Sequence, residues 1–473
     1  MTMTRRLCRV LPLAVPLLSS GAQDYTHPRV MNLPAPSFRR PDPAPLQGRL
    51  PNGLVVYVVE DRTVPLATLS AVVRAGSGDE TIPGQIESLT QSLRSGPATL
   101  SPGEFQRALA EMTAEFQVSV GPDLTTITLN VPVEDLERAL SLFAGLLRQP
   151  RVVAAPAAGR ASALTDGSMP GAVLLFEELV YRGRPYGGPP PSASDARATL
   201  ADVEAFHRRY FVPGNVVVAV AGDVSTADVR ERLRVALGAW RGSAAPSRGP
   251  LPASGIQPSA AGRVIHTYDV DKLQGWLVMG HELPVPPVAD EAPLAVMNYI
   301  MAGDHLGGRM FIEARDRRGL TNDEIGHPEP RLRGPGTYTI RAAGRPESIT
   351  QLIDIGLREA ERIRTTLVTG EELAIAKGAL ADGEFAYQFR NGHSTALTLA
   401  REWAMYGDHR RSATLPERTR AVTAADVQAM ARKYLAPERM HIVLLGPIAA
   451  IREATAKGNH PPLEQFGVVR SGR

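Results

Sequence analysis

Residues 85–91 read Gln85-Ile86-Glu87-Ser88-Leu89-Thr90-Gln91, which sets a carboxylate, a hydroxyl and an amide within one helical turn. On a helix, residues three and four apart are neighbours, so Glu87, Thr90 and Gln91 share one face. Ile86, Leu89 and Leu93 fall on the opposite face. A pair of ligands at i and i+4 can grip a metal ion, but an amide oxygen suits harder cations than zinc. Thr90 also brings no carboxylate to take a proton from a metal-bound water. Residues 46–241 contain a single histidine, His207, in Phe206-His207-Arg208-Arg209, where it reads as a surface or packing residue of a helix. Asp166 is the further carboxylate that a rearranged site would need. Asp304, His305 and His327 flank a glycine-rich turn with no fixed spacing on one element, and they read as solvated loop residues. The expectation is a chain without a hydrolytic zinc, without catalytic residues and without a resident cofactor.

The elements that position this face follow from periodicity. Residues 81–94 have Ile86, Leu89 and Leu93 at helical spacing, Pro83 in the first turn and Gly96 past the end. Residues 53–59 and 67–73 are β-branched and apolar, as consecutive strands are. Residues 116–120 and 125–131 alternate like paired strands joined by Gly121-Pro122-Asp123. Residues 102–114 and 133–147 read as helices. Hairpins interleaved with helices predict an α+β fold rather than a doubly wound parallel sheet.

The pattern occurs twice. Asp202, Val203, Ala205, Tyr210, Pro213 and Gly222 recur as Asp426, Val427, Ala429, Tyr434, Pro437 and Gly446, each 224 residues on. Six identities at one offset, within matching helix-then-strand patterns, point to a duplication. Two homologous lobes follow, each a mostly antiparallel sheet packed with helices. Residues 46–241 form the first lobe and 263–450 the second, with a proline-rich linker at 242–262 and a tail at 451–473.

At 473 residues, 43% hydrophobic and 21% charged, the chain has the length and composition of two or three globular domains. The 52 basic against 49 acidic residues leave a net charge of +3, which gives no basic surface for nucleic acid. Only four basic residues are lysines (Lys272, Lys377, Lys433 and Lys457). At the N-terminus, Arg5, Arg6 and Arg9 precede a short apolar run and the small residues Ser19-Ser20-Gly21-Ala22. Residues 1–22 therefore read as a secretory signal peptide, and 23–45 as an extended arm, so the expected location is periplasmic or secreted. The one cysteine, Cys8, lies in that segment, leaving no disulfide framework. The apolar stretches are too short or too interrupted for a transmembrane segment.

Several stretches resemble the insulinase/pitrilysin family of zinc peptidases, which includes the mitochondrial processing peptidases. They are Leu50-Pro51-Asn52-Gly53-Leu54, Arg74-Ala75-Gly76-Ser77, Arg184-Pro185-Tyr186-Gly187, residues 199–222, Leu306-Gly307-Gly308-Arg309-Met310-Phe311 and Arg315-Asp316-Arg317-Arg318-Gly319-Leu320. The resemblance covers roughly residues 46–450. It implies that Glu87 and Gln91 stand where active members carry the two histidines of H-x-x-E-H, and that Thr90 replaces the glutamate base. The third ligand, a glutamate, would fall between Glu137 and Glu177, where the chain has none. The family's substrate-holding arginine and tyrosine match Arg315 and Asn322. Arg315 reads either as a contact to peptide carbonyls or as one more charge of a surface run. The resemblance further implies a non-catalytic subunit that pairs with a homologue bearing the intact zinc motif and encloses unfolded peptide. A peptidase with rearranged ligands and a purely structural or peptide-binding role stay open beside it.

Overall fold

A computed structural model describes residues 38–155, 166–181, 186, 197–242, 244–247, 249, 262–303, 307–322 and 324–472. The expected signal segment, most of the expected arm, part of the linker, Arg184, Pro185, Gly187, Asp304 and His305 lie outside the described residues.

The strands of the first half are β1 (Gln47–Arg49), β2 (Val55–Glu60), β3 (Leu66–Val73), β4 (Glu115–Val120), β5 (Thr125–Pro132) and β6 (Val216–Gly222). They form one sheet in the order β1-β2-β6-β3-β5-β4. The second half supplies β7 (Val264–Asp269), β8 (Gly275–Leu283), β9 (Glu324–Glu329), β10 (Gly336–Gly344), β11 (His441–Gly446) and β12 (Val468–Ser471). Their order is β12-β7-β11-β8-β10-β9. Strand for strand the two sheets match, including the parallel pairs β2–β6 and β7–β11. Only the outermost strand differs in origin: β1 precedes its sheet in the chain, whereas β12 comes from the C-terminus. Residues 451–473 are thus not a loose tail, because they carry a strand of the second sheet. Nor do the consecutive strands β2 and β3 pair with each other. β6 lies between them, hydrogen-bonded to both.

The longer helices are α1 (Gln85–Arg94), α2 (Pro102–Glu111), α3 (Leu136–Arg148), α4 (Met169–Val180), α5 (Leu200–Tyr210) and α6 (Thr226–Leu237) in the first half. The second half has α7 (Val288–Ala302), α8 (Ile349–Thr365), α9 (Gly370–Gly378), α10 (Gly392–Tyr406), α11 (Arg410–Ala421), α12 (Ala424–Tyr434) and α13 (Ile448–Lys457). The duplicated helices α5 and α12 start with the same capping box, Thr199 with Asp202 and Thr423 with Asp426.

One face of each sheet is covered by helices of its own half. Leu89, Phe105, Phe143 and Phe206 pack on Val56, Leu69 and Val218 in the first. Met297, Ile353 and Val427 pack on Met279, Ile340 and Ile442 in the second. The other face is covered by a helix from the opposite half. Ala396, Leu399, Ala400 and Ala404 of α10 lie against Tyr57, Val72, Val217 and Ala219 of the first sheet. Ala172, Leu175, Phe176 and Val180 of α4 lie against Trp276, Val278, Val443 and Leu445 of the second. Met169–Val180 moved by 224 residues falls on 393–404, inside Gly392–Tyr406, so the exchanged helices are themselves the duplicated pair. This explains why β6 is buried along nearly its whole length and reads as an unbroken apolar run, for a strand covered on both faces has no polar side. At Gly280 of β8, any Cβ would collide with the Tyr338 carbonyl and press on the Phe176 ring, so only glycine lets α4 sit this close. Arg39–Arg473 form one compact unit.

Candidate functional site

The helix that could have carried a metal begins at Gly84, whose φ of 82° a side chain rarely tolerates. Its first residue is Gln85, later than the expected start at 81. Ile86, Leu89 and Leu93 turn into the core. Several polar contacts hold α1 in place. Gln85 Nε2 donates to the Asp202 carbonyl at 2.9 Å. The Ser88 and Ser92 hydroxyls accept from the backbone of Ala155 and Val153, each at 3.0 Å.

On the outer face the expected trio sits together, but its groups are otherwise employed. Arg197 donates to Glu87 Oε2 at 2.9 Å, forming a half-exposed ion pair. The Thr90 hydroxyl donates back to the Ile86 carbonyl at 2.8 Å. Gln91 is exposed. The Glu87 carboxylate is therefore engaged by a guanidinium. Asp166 is exposed and accepts from the Ser168 hydroxyl at 2.6 Å, just ahead of α4. Among the described residues, no three histidine, cysteine or acidic side chains gather in a way that would hold a metal.

His207 turns out to be a core residue. It is 6% exposed, its Nε2–H donates to the Leu147 carbonyl at 3.1 Å, and its ring stacks on Phe211 with centroids 4.4 Å apart. Burial lowers its pKa to about 4 from the usual 6.5. The unfolded chain then binds the proton that the folded ring refuses, so stability should decline as pH falls from about 6.5 to about 4 and level off below. At about 1.4 kcal/mol per pH unit the loss is roughly 3 kcal/mol. Urea unfolding at pH 7 and at pH 4 should show a smaller pH effect in His207→Gln than in the native chain. Equal pH effects in the two proteins would refute this assignment.

The second-half residues stand apart from α1. Arg315 lies in a wide turn, Ile312–Asp316, with its guanidinium 4.7 Å from the centroid of the Phe311 ring. Asn322 is exposed, and His327 is a half-buried residue of β9. Among the described residues, no hydrogen bond or ion pair joins Arg315 or Asn322 to Glu87, Thr90 or Gln91.

Sequence reasoning missed the polar seam between the halves. There the β4–β5 turn meets the equivalent β9–β10 turn. Arg333 pairs with Asp79 at 2.9 Å and Asp123 at 3.4 Å, and donates to the Gly78 carbonyl at 3.2 Å. Asp123 also accepts from the Tyr186 hydroxyl at 2.9 Å and from the Leu332 backbone at 3.0 Å. A second joint forms around Glu402, which accepts from His409, Ser412 and the Ser412 backbone, while His409 Nε2 meets the Tyr57 hydroxyl at 2.8 Å. The hydrogen bonds to Glu402 hold its carboxylate below the usual range despite its burial. Beside the first joint opens a cavity of about 650 Å³, lined by both halves.

Comparison with known proteins agrees with this architecture. Residues 197–380 match the family model described as the peptidase M16 inactive domain. The chain is 26% identical over 419 residues to an uncharacterized zinc protease of Mycobacterium tuberculosis, spanning 85% of this chain and 93% of that one. It is 24% identical over 317 residues to the zinc protease PqqE of Helicobacter pylori, spanning 63% of this chain and 69% of that one. Among solved structures, a peptidase M16 inactive domain from Pseudomonas fluorescens superimposes with a TM-score of 0.69 at 23% identity, covering 85% of this chain and 98% of that one. A protease from Helicobacter pylori gives 0.70 at 20% identity, covering 85% and 99%. The two sequence relatives are named zinc proteases, whereas the α1 face here presents an ion pair, a satisfied hydroxyl and an amide. The chain is thus similar to the M16 peptidases, and its residues 197–380 to their inactive domain.

Proposed function

We propose that this chain is the non-catalytic subunit of a zinc peptidase, pairing with a homologue that keeps the H-x-x-E-H motif and helping to enclose unfolded peptide. The observation that carries the reading is the Glu87–Arg197 ion pair, which puts a fixed positive charge beside the one carboxylate of the motif helix. A cation there repels zinc, and no base stands by to activate water. Peptide capture is supported by β4, which lies at the outer position of the first sheet with Glu115, Gln117 and Ser119 exposed. An extended chain can add to such an edge through main-chain hydrogen bonds. The N-terminal signal segment supports export to the periplasm or beyond. No described helix is long and apolar enough to cross a membrane.

Elemental analysis and co-expression test the reading together. The purified chain should carry far less than one zinc per molecule and cleave no peptide. Co-expressed with a homologue bearing the intact motif, it should elute as a complex that contains zinc and hydrolyses peptides. Stoichiometric zinc in the chain alone, with chelator-sensitive hydrolysis lost in Glu87→Ala, would instead establish a peptidase with rearranged ligands.

A further inference from the structure

Five arginines line the seam cavity, Arg74, Arg331, Arg333, Arg401 and Arg411, beside the carboxylates Asp123 and Glu291. Both carboxylates are already engaged: Asp123 with Arg333, which also pairs with Asp79, and Glu291 with Arg411 at 2.7 Å and Arg418 at 3.4 Å. Arg331 is held outside the lining set by Glu177 at 3.1 Å and Glu329 at 3.5 Å. Arg401 is different. It projects from α10, reaches solvent, and has no ion-pair partner among the described residues. Among the described residues its one hydrogen bond is a long one, 3.5 Å, to the Thr126 hydroxyl. The protein packed around it lowers its pKa, and no neighbouring carboxylate offsets that effect. The nearby His393 is lowered by burial first, then by the charges of Arg401 and Arg390, so the positive field extends beyond the one side chain.

The position of the cavity says what kind of anion belongs there. Ser119, Gly121 and Pro122 line it, and these residues are the end of edge strand β4 and the turn that follows. A peptide lying along β4 in the same direction would run its C-terminal end into the cavity. The volume, about 650 Å³, is that of a small-ligand pocket and admits a terminal residue or an acidic side chain.

We propose that the seam cavity is a carboxylate-binding subsite centred on Arg401, which anchors either the C-terminal carboxylate or an Asp or Glu side chain of a peptide held along β4. The inference rests on the peptide-binding reading above. A guanidinium matches a carboxylate with two parallel hydrogen bonds, which a lysine at the same position cannot reproduce. The subsite would bias which peptides are held and in which direction.

Fluorescence anisotropy on the full-length chain tests it, using a labelled unstructured peptide with a free C-terminus and internal glutamates. Two companion peptides carry a C-terminal amide, or glutamine for each glutamate. One of the companions should bind about tenfold more weakly than the parent, identifying the source of the carboxylate, as expected for losing a hydrogen bond to a charged group. Arg401→Gln should weaken the parent to the level of that companion and remove the difference between them, with an unchanged melting temperature because Arg401 anchors little of the fold. Arg401→Lys should recover only part of the affinity. Equal affinity for all three peptides would overturn the subsite while leaving peptide binding intact. No binding of any of them would overturn both readings, and a loss in Arg401→Gln that is identical for all three peptides would mark a structural role instead.

Discussion

Replacing Arg333 with leucine should lower the unfolding free energy by about 3–5 kcal/mol, the usual result of deleting one partner of a buried ion pair. The side chain is 12% exposed, and its partners Asp79 and Asp123 are 2% and 10% exposed. Without the guanidinium, two carboxylates remain buried at the joint. Asp79 keeps a bond from the Gly76 backbone, and Asp123 keeps those from Tyr186 and Leu332. Those contacts satisfy lone pairs but supply no countercharge, so the penalty of buried negative charge persists. Arg333 belongs to the second half and both aspartates to the first. The mutation therefore loosens the seam itself, and calorimetry should show a broadened or divided transition where the native chain gives one. Arg333→Lys should fall between the two, since one ammonium cannot span both carboxylates and the Gly78 carbonyl. A change below about 1 kcal/mol, within the range of an exposed pair, would show that water reaches the joint.

Much of this architecture was legible in the sequence because it is local. The alternation of residues 116–120 and 125–131, the apolar spacing of Ile86, Leu89 and Leu93, and the repeat at an offset of 224 each rest on neighbours in the chain. The absence of imidazole from the motif helix was equally plain, since it needs only a reading of residue types. What could not be read was anything that depends on long-range company. Glu87 and Arg197 are 110 residues apart, and nothing near either names the other. His207 lies between Phe206 and two arginines on a helix, a context that does not distinguish a surface ring from the buried one observed. The insertion of β6 between β2 and β3 is also invisible locally, because an apolar strand fits equally well beside either. The missed start of α1 has a physical cause: Pro83 suits a helix's first turn, but the left-handed backbone at Gly84 starts the helix after it.

The exchanged helices are the feature that periodicity was least able to reveal, and they lead to the second large effect. An apolar stripe on α4 shows that one face is buried but not which sheet buries it. Phe176→Ala should cost about 3–5 kcal/mol, the range for emptying a buried aromatic site. The ring is fully buried, in a cluster with Trp276, Val278, Val443 and Leu445 of the opposite half. The site is poorly placed to collapse. Gly280 beneath it has no side chain to move inward, and the strand there is fixed by β10 and β11 on its two sides. Because α4 is continuous with the first half and the vacated surface belongs to the second, the loss should appear in amide exchange far from the mutation in sequence. Protection in β8 and β11 should fall, while β2 and β6, covered by α10, should keep theirs. The matching change on the other side, Leu399→Ala in α10, should reverse the pattern and expose β2 and β6 at a cost of about 2–5 kcal/mol. If both variants loosened only their own half, the helices would not be exchanged as described. If each loosens the opposite half, the two sheets are stabilised reciprocally, and neither lobe completes its core alone.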